Sequence, residues 1–341
     1  MPSFVHNKFL QICFAAILLF AAGNLWLFQN PNQTIPSDIS EAEDITFFAL
    51  GDAGKGNLAQ WRVASGMESV ADESSKLDFV TVLGDNFYSN KDLSLKSKVW
   101  NAYFENVYSG RFLNAVPFYA VLGNHDNNKK IKDEIAYSQQ HQGSNRWRMP
   151  ARFYARDMGN IEGRPLLRIV FLDTQPNVAS LKIQADFIQK SFASVKNPPV
   201  WRIVIGHHPV RNYGKHADET GLMQQYILPA LKAARVDTYI SGHDHNQQTI
   251  VSPNEPVYFI AGSGGAGLYP IKHRDKQLVY GESVHGFLSV HLNKTNMQIQ
   301  QHSADGAVLN SYQLQQECGA EATPCISMNQ HSDKSLANFA G

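Results

Sequence analysis

The sequence predicts an α/β fold, two β-sheets packed together and flanked by helices in an αββα sandwich. Three observations predict it. Strand-like and helix-like runs alternate after residue 44, and from Val257 onward the pattern turns strand-rich. Five short polar segments each follow an apolar run: Gly51-Asp52-Ala53-Gly54, Gly84-Asp85-Asn86-Phe87-Tyr88, Gly123-Asn124-His125-Asp126, Gly206-His207-His208-Pro209 and Gly242-His243-Asp244-His245. Carboxylate, amide and imidazole groups at the ends of several strands are how such a sheet builds a site in its edge crevice.

In chain order, Lys8 precedes an apolar stretch at 9–28 that is broken only by Gln11, Gly23 and Asn24. Residues 1–30 read as a signal peptide, with Ala21-Ala22-Gly23 offering small residues for cleavage, or as a signal anchor, since roughly 20 apolar residues span a bilayer. Either places the rest of the chain outside the cytoplasm, because Lys8 precedes the stretch and Asp38, Glu41, Glu43 and Asp44 follow it. Export to a secreted, periplasmic or lumenal location is expected, with membrane anchoring as the alternative. A polar linker occupies 31–44, one large domain 45–315 and a polar tail, expected to be poorly ordered, 316–341. In an oxidising compartment Cys318 and Cys325 can close a small loop; otherwise they are two thiols in the tail. Asn32-Gln33-Thr34 and Asn293-Lys294-Thr295 fit the glycosylation pattern.

Within the domain, runs at 45–50, 79–83, 116–122, 203–205 and 236–241 read as buried strands that lead into the five segments. Leu58, Trp61, Ala64 and Met67 recur at helical spacing, 166–172 is a strand ending at Asp173, and 180–195 and 222–234 are helical. Strands follow at 257–260, 287–292, 297–302 and 308–314. The glycine-rich run 262–267 reads as a tight turn that keeps a pocket mouth open, or as a phosphate cradle; it lacks the Lys-Ser/Thr ending of a P-loop. The basic cluster 272–276 reads as a solvated loop. The 341 residues are 43% hydrophobic and 18% charged with zero net charge, which argues against a nucleic-acid partner.

Asp52, Asp85 and Tyr88 become anionic on binding a metal, whereas Asn124, His207, His243 and His245 stay neutral. If Asp85 bridges two ions, one can take Asp52, Tyr88 and His245, and the other Asn124, His207 and His243. The first set suits a trivalent ion such as Fe(III), the second a divalent ion. Such a pair clamps the attacking and leaving oxygens of a phosphoryl displacement, so hydroxide generated on it attacks phosphorus with no side-chain nucleophile. His125, beside Asn124, is placed to donate to the phosphoryl group or the leaving alkoxide; His216 is its partner or an exposed loop residue. His208 reads as a packing group, because one strand end rarely presents adjacent side chains to one ion. Asp126 and Asp244 read as carboxylates that orient histidines.

Together the five segments resemble the metallophosphoesterase pattern. Tyr88 in Gly84-Asp85-Asn86-Phe87-Tyr88 narrows the resemblance to purple acid phosphatases, of the small tartrate-resistant type. Arg146-Trp147, Phe153-Tyr154, Ile205-Gly206-His207-His208-Pro209-Val210 and Asn246 after His245 fit equally well, and the resemblance spans about 46–314. It implies a calcineurin-like metallophosphoesterase fold and an acid phosphatase with Fe(III) on Asp52, Tyr88 and His245. It implies a divalent ion (Fe, Zn or Mn) on Asn124, His207 and His243, Asp85 bridging, and His125 and His216 facing substrate. The expected partners are small phosphoesters and phosphoproteins, with no nucleic acid, no membrane contact beyond the N-terminal segment, and a monomeric chain. Two departures stand out: His208 replaces a common Tyr, and 175–182 is shorter than the loop overhanging the site in animal members, so control by cleaving that loop is not expected. A phosphodiesterase or nucleotidase using two divalent ions is the competing reading, which Tyr88 opposes. A protein keeping the fold only for binding would be expected to lack a donor or His125, and every position is filled.

Overall fold

The strands of the domain run, in order, β1 (Ser37–Ile39), β2 (Asp44–Leu50), β3 (Phe79–Val82), β4 (Phe118–Ala120), β5 (Trp147–Arg148), β6 (Tyr154–Ile161), β7 (Arg164–Phe171) and β8 (Trp201–Ile205). They continue as β9 (Thr238–Ser241), β10 (Gln247–Ile250), β11 (Val257–Ala261), β12 (Leu278–Glu282), β13 (Gly286–Asn293), β14 (Asn296–Ser303), β15 (Val308–Gln315) and β16 (Cys325–Ser327). The α-helices longer than one turn are α1 (Leu58–Ser74), α2 (Lys129–Gln139), α3 (Val178–Phe192) and α4 (Leu228–Ala233), and a short α-helical turn at Lys98–Trp100 leads into a π-helix at Asn101–Glu105. This computed structural model describes residues 35–39, 41–91, 93–127, 129–193, 198–316 and 325–327. The apolar stretch 9–28, the Asn32 pattern and Cys318 lie outside the described residues. Among those described, no helix is long and apolar enough to cross a membrane.

Two eight-stranded sheets form, ordered β16-β15-β14-β13-β2-β3-β4-β5 and β1-β6-β7-β8-β9-β11-β10-β12. In the first, β2 through β5 are parallel; in the second, β7, β8, β9 and β11 are. Parallel strands are covered on both faces, which is why β2 and β3 read as apolar runs broken only by Thr46 and Thr81 and are buried from Ile45 to Leu50 and from Phe79 to Val82. The sheets meet in one core. Phe47 stacks on Phe79 at 4.7 Å, Phe79 meets Tyr119 edge-on at 5.6 Å, and Tyr119 crosses to Phe171 of the facing sheet at 5.8 Å. A second cluster buries Leu181, Phe187 and Ile188 of α3 and Leu231 of α4 against Val170, Val204 and Tyr239. Helix α1 buries Val63 and Met67 in the main core and is capped by Asn57, whose Oδ1 accepts from the Gln60 amide at 3.0 Å.

Some elements depart from the sequence reading. β10 was not legible because Gln247-Gln248-Thr249 is polar, yet it is wholly buried between β11 and β12. Its amide nitrogens are satisfied within the structure: Gln247 Nε2 donates to the His302 carbonyl and Gln248 Nε2 to Asn212 Oδ1, each at 2.8 Å, while Gln247 Oε1 is buried without a partner. The helix expected at 222–234 is π-helical over Met223–Ile227 before becoming α4. The tail is not featureless, since Cys325–Ser327 pairs antiparallel with β15. Arg146 has a structural reason to be there. Its buried guanidinium donates to the Leu113 carbonyl (2.9 Å) and to Glu105 Oε2 (3.0 Å), tying the segment before β5 to the loops behind the motif face.

Candidate metal centre

All five motif loops leave the carboxyl ends of parallel strands: β2, β3 and β4 in one sheet, β8 and β9 in the other. The two edges therefore face one crevice, with donors arriving from both sides. Small residues allow the approach. A Cβ on Gly123 would lie 2.2 Å from Asp85 Oδ1, and one on Gly84, at φ +90°, 2.7 Å from His207 Nδ1. Asp52, Asp85 and His243 themselves hold φ of +57°, +53° and +69°. Left-handed backbone at a non-glycine residue costs about 1 kcal/mol or more, and three such residues meeting at one point mark a functional site.

The donors form two constellations. Tyr88 Oη lies 3.1 Å from Asp52 Oδ1 and 3.2 Å from His245 Nε2, with His245 Nε2 3.3 Å from Asp52 Oδ1. Asn124 Oδ1 lies 3.0 Å from both His207 Nε2 and His243 Nδ1, which are 3.2 Å apart. Asp85 Oδ1 is 3.5 Å from His207 Nε2, and Asp85 also falls within 4.8 Å of the donors of Asp52 and His245. Asp85 thus adjoins both sets.

The far nitrogen of each imidazole fixes which way its lone pair points. His207 Nδ1 faces the Leu83 carbonyl at 2.8 Å and His245 Nδ1 faces the Gly267 carbonyl at 2.6 Å, so both carry their proton there and aim a bare Nε2 inward. His243 is reversed: Nε2 faces Glu219 Oε2 at 3.2 Å and Nδ1 turns inward. In each constellation three lone-pair donors then converge, and in the second no hydrogen is left to lie between them. Such a cluster suits a cation, with hard anionic oxygen on one side and neutral oxygen and nitrogen on the other. The electrostatics agree in part: burial lowers His207, but Asp85 and Asp52 outweigh it and raise that ring, and Asp52 does the same to His245, so a cation has to compete with a proton at those two nitrogens. Burial raises Asp52, against His207 and His245; burial likewise opposes Asp85, but His207 and the His125 amide outweigh it and hold that carboxyl below its usual range. Burial, Asp52 and Asp85 push the Tyr88 phenol far upward, so it ionises only against a strong Lewis acid. Burial and the neighbouring His207 and His216 push His243 down to about 3, leaving it neutral and able to ligate.

Residues 45–247 match the family model described as "Calcineurin-like phosphoesterase", and 255–311 match "Iron/zinc purple acid phosphatase-like protein C". The chain belongs to the calcineurin-like phosphoesterases, in the purple acid phosphatase branch. It is 29% identical over 294 residues to purple acid phosphatase 3 of Arabidopsis thaliana, covering 79% of this chain and 77% of that one. Against human tartrate-resistant acid phosphatase type 5 it is 28% identical over 296 residues, 78% of this chain and 89% of the relative. In fold it is similar to the structure titled "GAP50 the anchor in the inner membrane complex of Plasmodium", with a TM-score of 0.72 and 23% identity over 81% of this chain and 90% of that one.

In this phosphoesterase His125 and His216 stand beside the donors. The His125 amide donates to Asp85 Oδ1 at 2.8 Å, while its ring is 53% exposed and lies 4.5 Å from the Tyr88 ring. The His216 ring lies 4.5 Å from that of His243. His208 packs against Thr174 and His243: its Nδ1 is 3.0 Å from Thr174 Oγ1 and its ring 4.5 Å from His243. Its nitrogen also lies within 4.8 Å of the donor atoms of His207 and His243. Burial and His207 push it well below its usual value.

Two readings are corrected. Asp126 orients no histidine; it accepts from the amides of Gly123 (2.9 Å), Asn86 (3.0 Å) and Phe87 (3.1 Å), pinning two donor loops together. Burial and Asp85 push its carboxyl up to about 7. Asp244 likewise takes Asn212 Nδ2 at 2.6 Å and, of His216, only the backbone amide at 2.9 Å. The glycine-rich run has a bracing role that the sequence did not show. Gly264 and Ala266 donate to the carbonyls of Gly51 and Asp52 at 2.9 and 2.8 Å, and Gly267 accepts from His245, so the run braces the first constellation. The short 175–182 segment runs directly into α3 through its cap Asn177.

Glu219 was missed. Its Oε1 is 2.7 Å from His216 Nδ1 and its Oε2 3.2 Å from His243 Nε2, so one carboxylate holds both rings. The available signal was a carboxylate three residues after His216. Glu219→Ala is expected to weaken metal retention at the His207–His243 constellation or activity by about 10- to 100-fold, the usual effect of removing a ligand's orienting partner. Titration of metal content against a chelator, beside kcat, measures it.

Proposed function

We propose that the protein is an exported acid phosphatase that hydrolyses phosphomonoesters at a dinuclear Fe(III)–divalent centre. Asp52, Tyr88 and His245 would hold Fe(III); Asn124, His207 and His243 would hold Fe(II), Zn(II) or Mn(II); Asp85 would be shared. The observation that carries this reading is the pair of converging lone-pair constellations, one containing a phenol whose ionisation is opposed by burial and by Asp52 and Asp85, which suits a strongly charged ion. When bound, such a pair of ions acidifies water and neutralises phosphoryl oxygens, and a trivalent member keeps that effect available in acid.

The chain's own residues do the rest. His125, anchored by its amide to Asp85 and with its half-exposed ring carrying Nε2 3.9 Å from Asp85 Oδ2, contacts the phosphoryl group and supplies a proton to the departing alkoxide. His216, held by Glu219, contacts the phosphoryl group from beside His243. Lys130 fixes the His125 loop through the carbonyls of Phe87 (2.6 Å) and His125 (2.9 Å). Export rests on the apolar stretch 9–28 and the small residues at 21–23.

Phosphate release from aryl and alkyl phosphomonoesters, beside the matching diesters, tests the reading across acid and neutral pH. Faster monoester turnover in acid is expected. Preferential cleavage of diesters or nucleotides near neutrality by a protein holding two divalent ions would replace it with the diesterase alternative.

A further inference from the structure

Two cations at the site have no part in the mechanism above. Lys55 lies three residues after Asp52, and its Nζ sits 3.9 Å from the centroid of the Tyr88 ring. Lys215 immediately precedes His216, and its Nζ sits 3.9 Å from the centroid of Tyr269. The two rings belong to one aromatic wall. Tyr88 meets His245 edge-on at 6.3 Å, and His245 stacks on Tyr269 at 4.1 Å with planes 10° apart. Tyr88 and His245 are also members of the first donor constellation, so the wall runs outward from the reacting centre itself.

A cation–π contact holds an ammonium in place without neutralising it. Both lysines are exposed, and among the described residues neither makes an ion pair, whereas the Lys130 ammonium is spent on two carbonyls. Lys272 adds a third ammonium on the Lys215 side, donating to the Lys215 carbonyl at 2.9 Å. The acidic residues of the same loop are Asp218 and Glu219, and the Glu219 carboxylate is engaged by His216 and His243. A simple phosphomonoester has no use for Lys55 or Lys215 once its phosphoryl group is held at the donors.

We propose that Lys55 and Lys215 are specificity-determining residues that select phosphoesters carrying a second phosphoryl group, which binds along the Tyr88–His245–Tyr269 wall. The inference rests on the phosphatase reading above and adds the substrate class. Ammonium groups on four-carbon stems offer movable point charges rather than a rigid fork, so they suit phosphoryl oxygens whose spacing from the scissile group varies. That second group can be joined directly as an anhydride or carried on a separate ester.

Equilibrium binding to the metal-loaded protein tests the proposal with probes that are not turned over: methylphosphonate, methylenediphosphonate and propane-1,3-diyldiphosphonate. The wild-type protein is expected to prefer a diphosphonate over methylphosphonate. In Lys55→Met/Lys215→Met that preference should fall roughly tenfold, the scale of two exposed ion pairs. Lys55→Arg/Lys215→Arg should keep it, and added salt should narrow it. A stronger preference for the short probe assigns an anhydride-type substrate, and for the long probe a separately esterified one. An unchanged preference in the double Met variant overturns the proposal. A wild-type protein that binds diphosphonates selectively yet hydrolyses no phosphomonoester would sink the phosphatase reading alone.

Discussion

Asp85→Ala is expected to release both ions and abolish phosphate release. Asp85 has its carboxylate beside ligating atoms of both constellations, 3.5 Å from His207 Nε2 on one side and within 4.8 Å of the Asp52 and His245 donors on the other. Without its carboxylate each ion would lose a ligand, and the charge balancing the pair would fall by one. The carboxylate also accepts the His125 amide, so that loop is released as well. Alanine at φ +53° adds roughly 1–2 kcal/mol of backbone strain. Asp85→Asn, which tolerates that conformation better, separates loss of charge from loss of fold. Metal analysis after desalting, with a thermal melt, is the measurement. Either variant retaining two ions at full occupancy would contradict a shared role for Asp85.

His125→Ala is expected to do the opposite: keep both ions and lose most of kcat, by about 10²- to 10⁴-fold, the range for a positioned proton donor. Its ring is 53% exposed and is not part of either constellation, so stability should change by no more than about 0.5 kcal/mol. KM should move less than kcat if the ring acts chiefly in the transition state. An unchanged kcat in a fully loaded variant would remove His125 from the mechanism.

The donors were legible because each follows a buried strand, and such strands announce themselves as apolar runs punctuated by glycine. Gly84 and Gly123 are the structural reason, since any side chain there would collide with His207 or Asp85. The sandwich was legible for the same reason: β2, β3, β7 and β8 are buried and read as such. β10 was not, because its glutamines are buried by tertiary hydrogen bonds that no local pattern reveals. The roles of Asp126 and Asp244 were misassigned because adjacency to a histidine in sequence says nothing about whose amide a carboxylate receives. Glu219 escaped because its reach to His243 depends on a short 3₁₀ turn that folds residues 216 and 219 onto a loop from another strand. Lys55 and Lys215 look like ordinary surface lysines until the Tyr88 and Tyr269 rings are placed beneath them.

The central claim is that Tyr88 is bound as a phenolate to Fe(III). The visible absorption spectrum of the purified protein, recorded beside its metal content and repeated on Tyr88→Phe, tests it most directly. A violet charge-transfer band with about one iron or more per chain, lost in Tyr88→Phe while Asp52 and His245 remain, is the predicted result. A colourless wild-type protein holding two divalent ions, or a band that survives Tyr88→Phe, would contradict it.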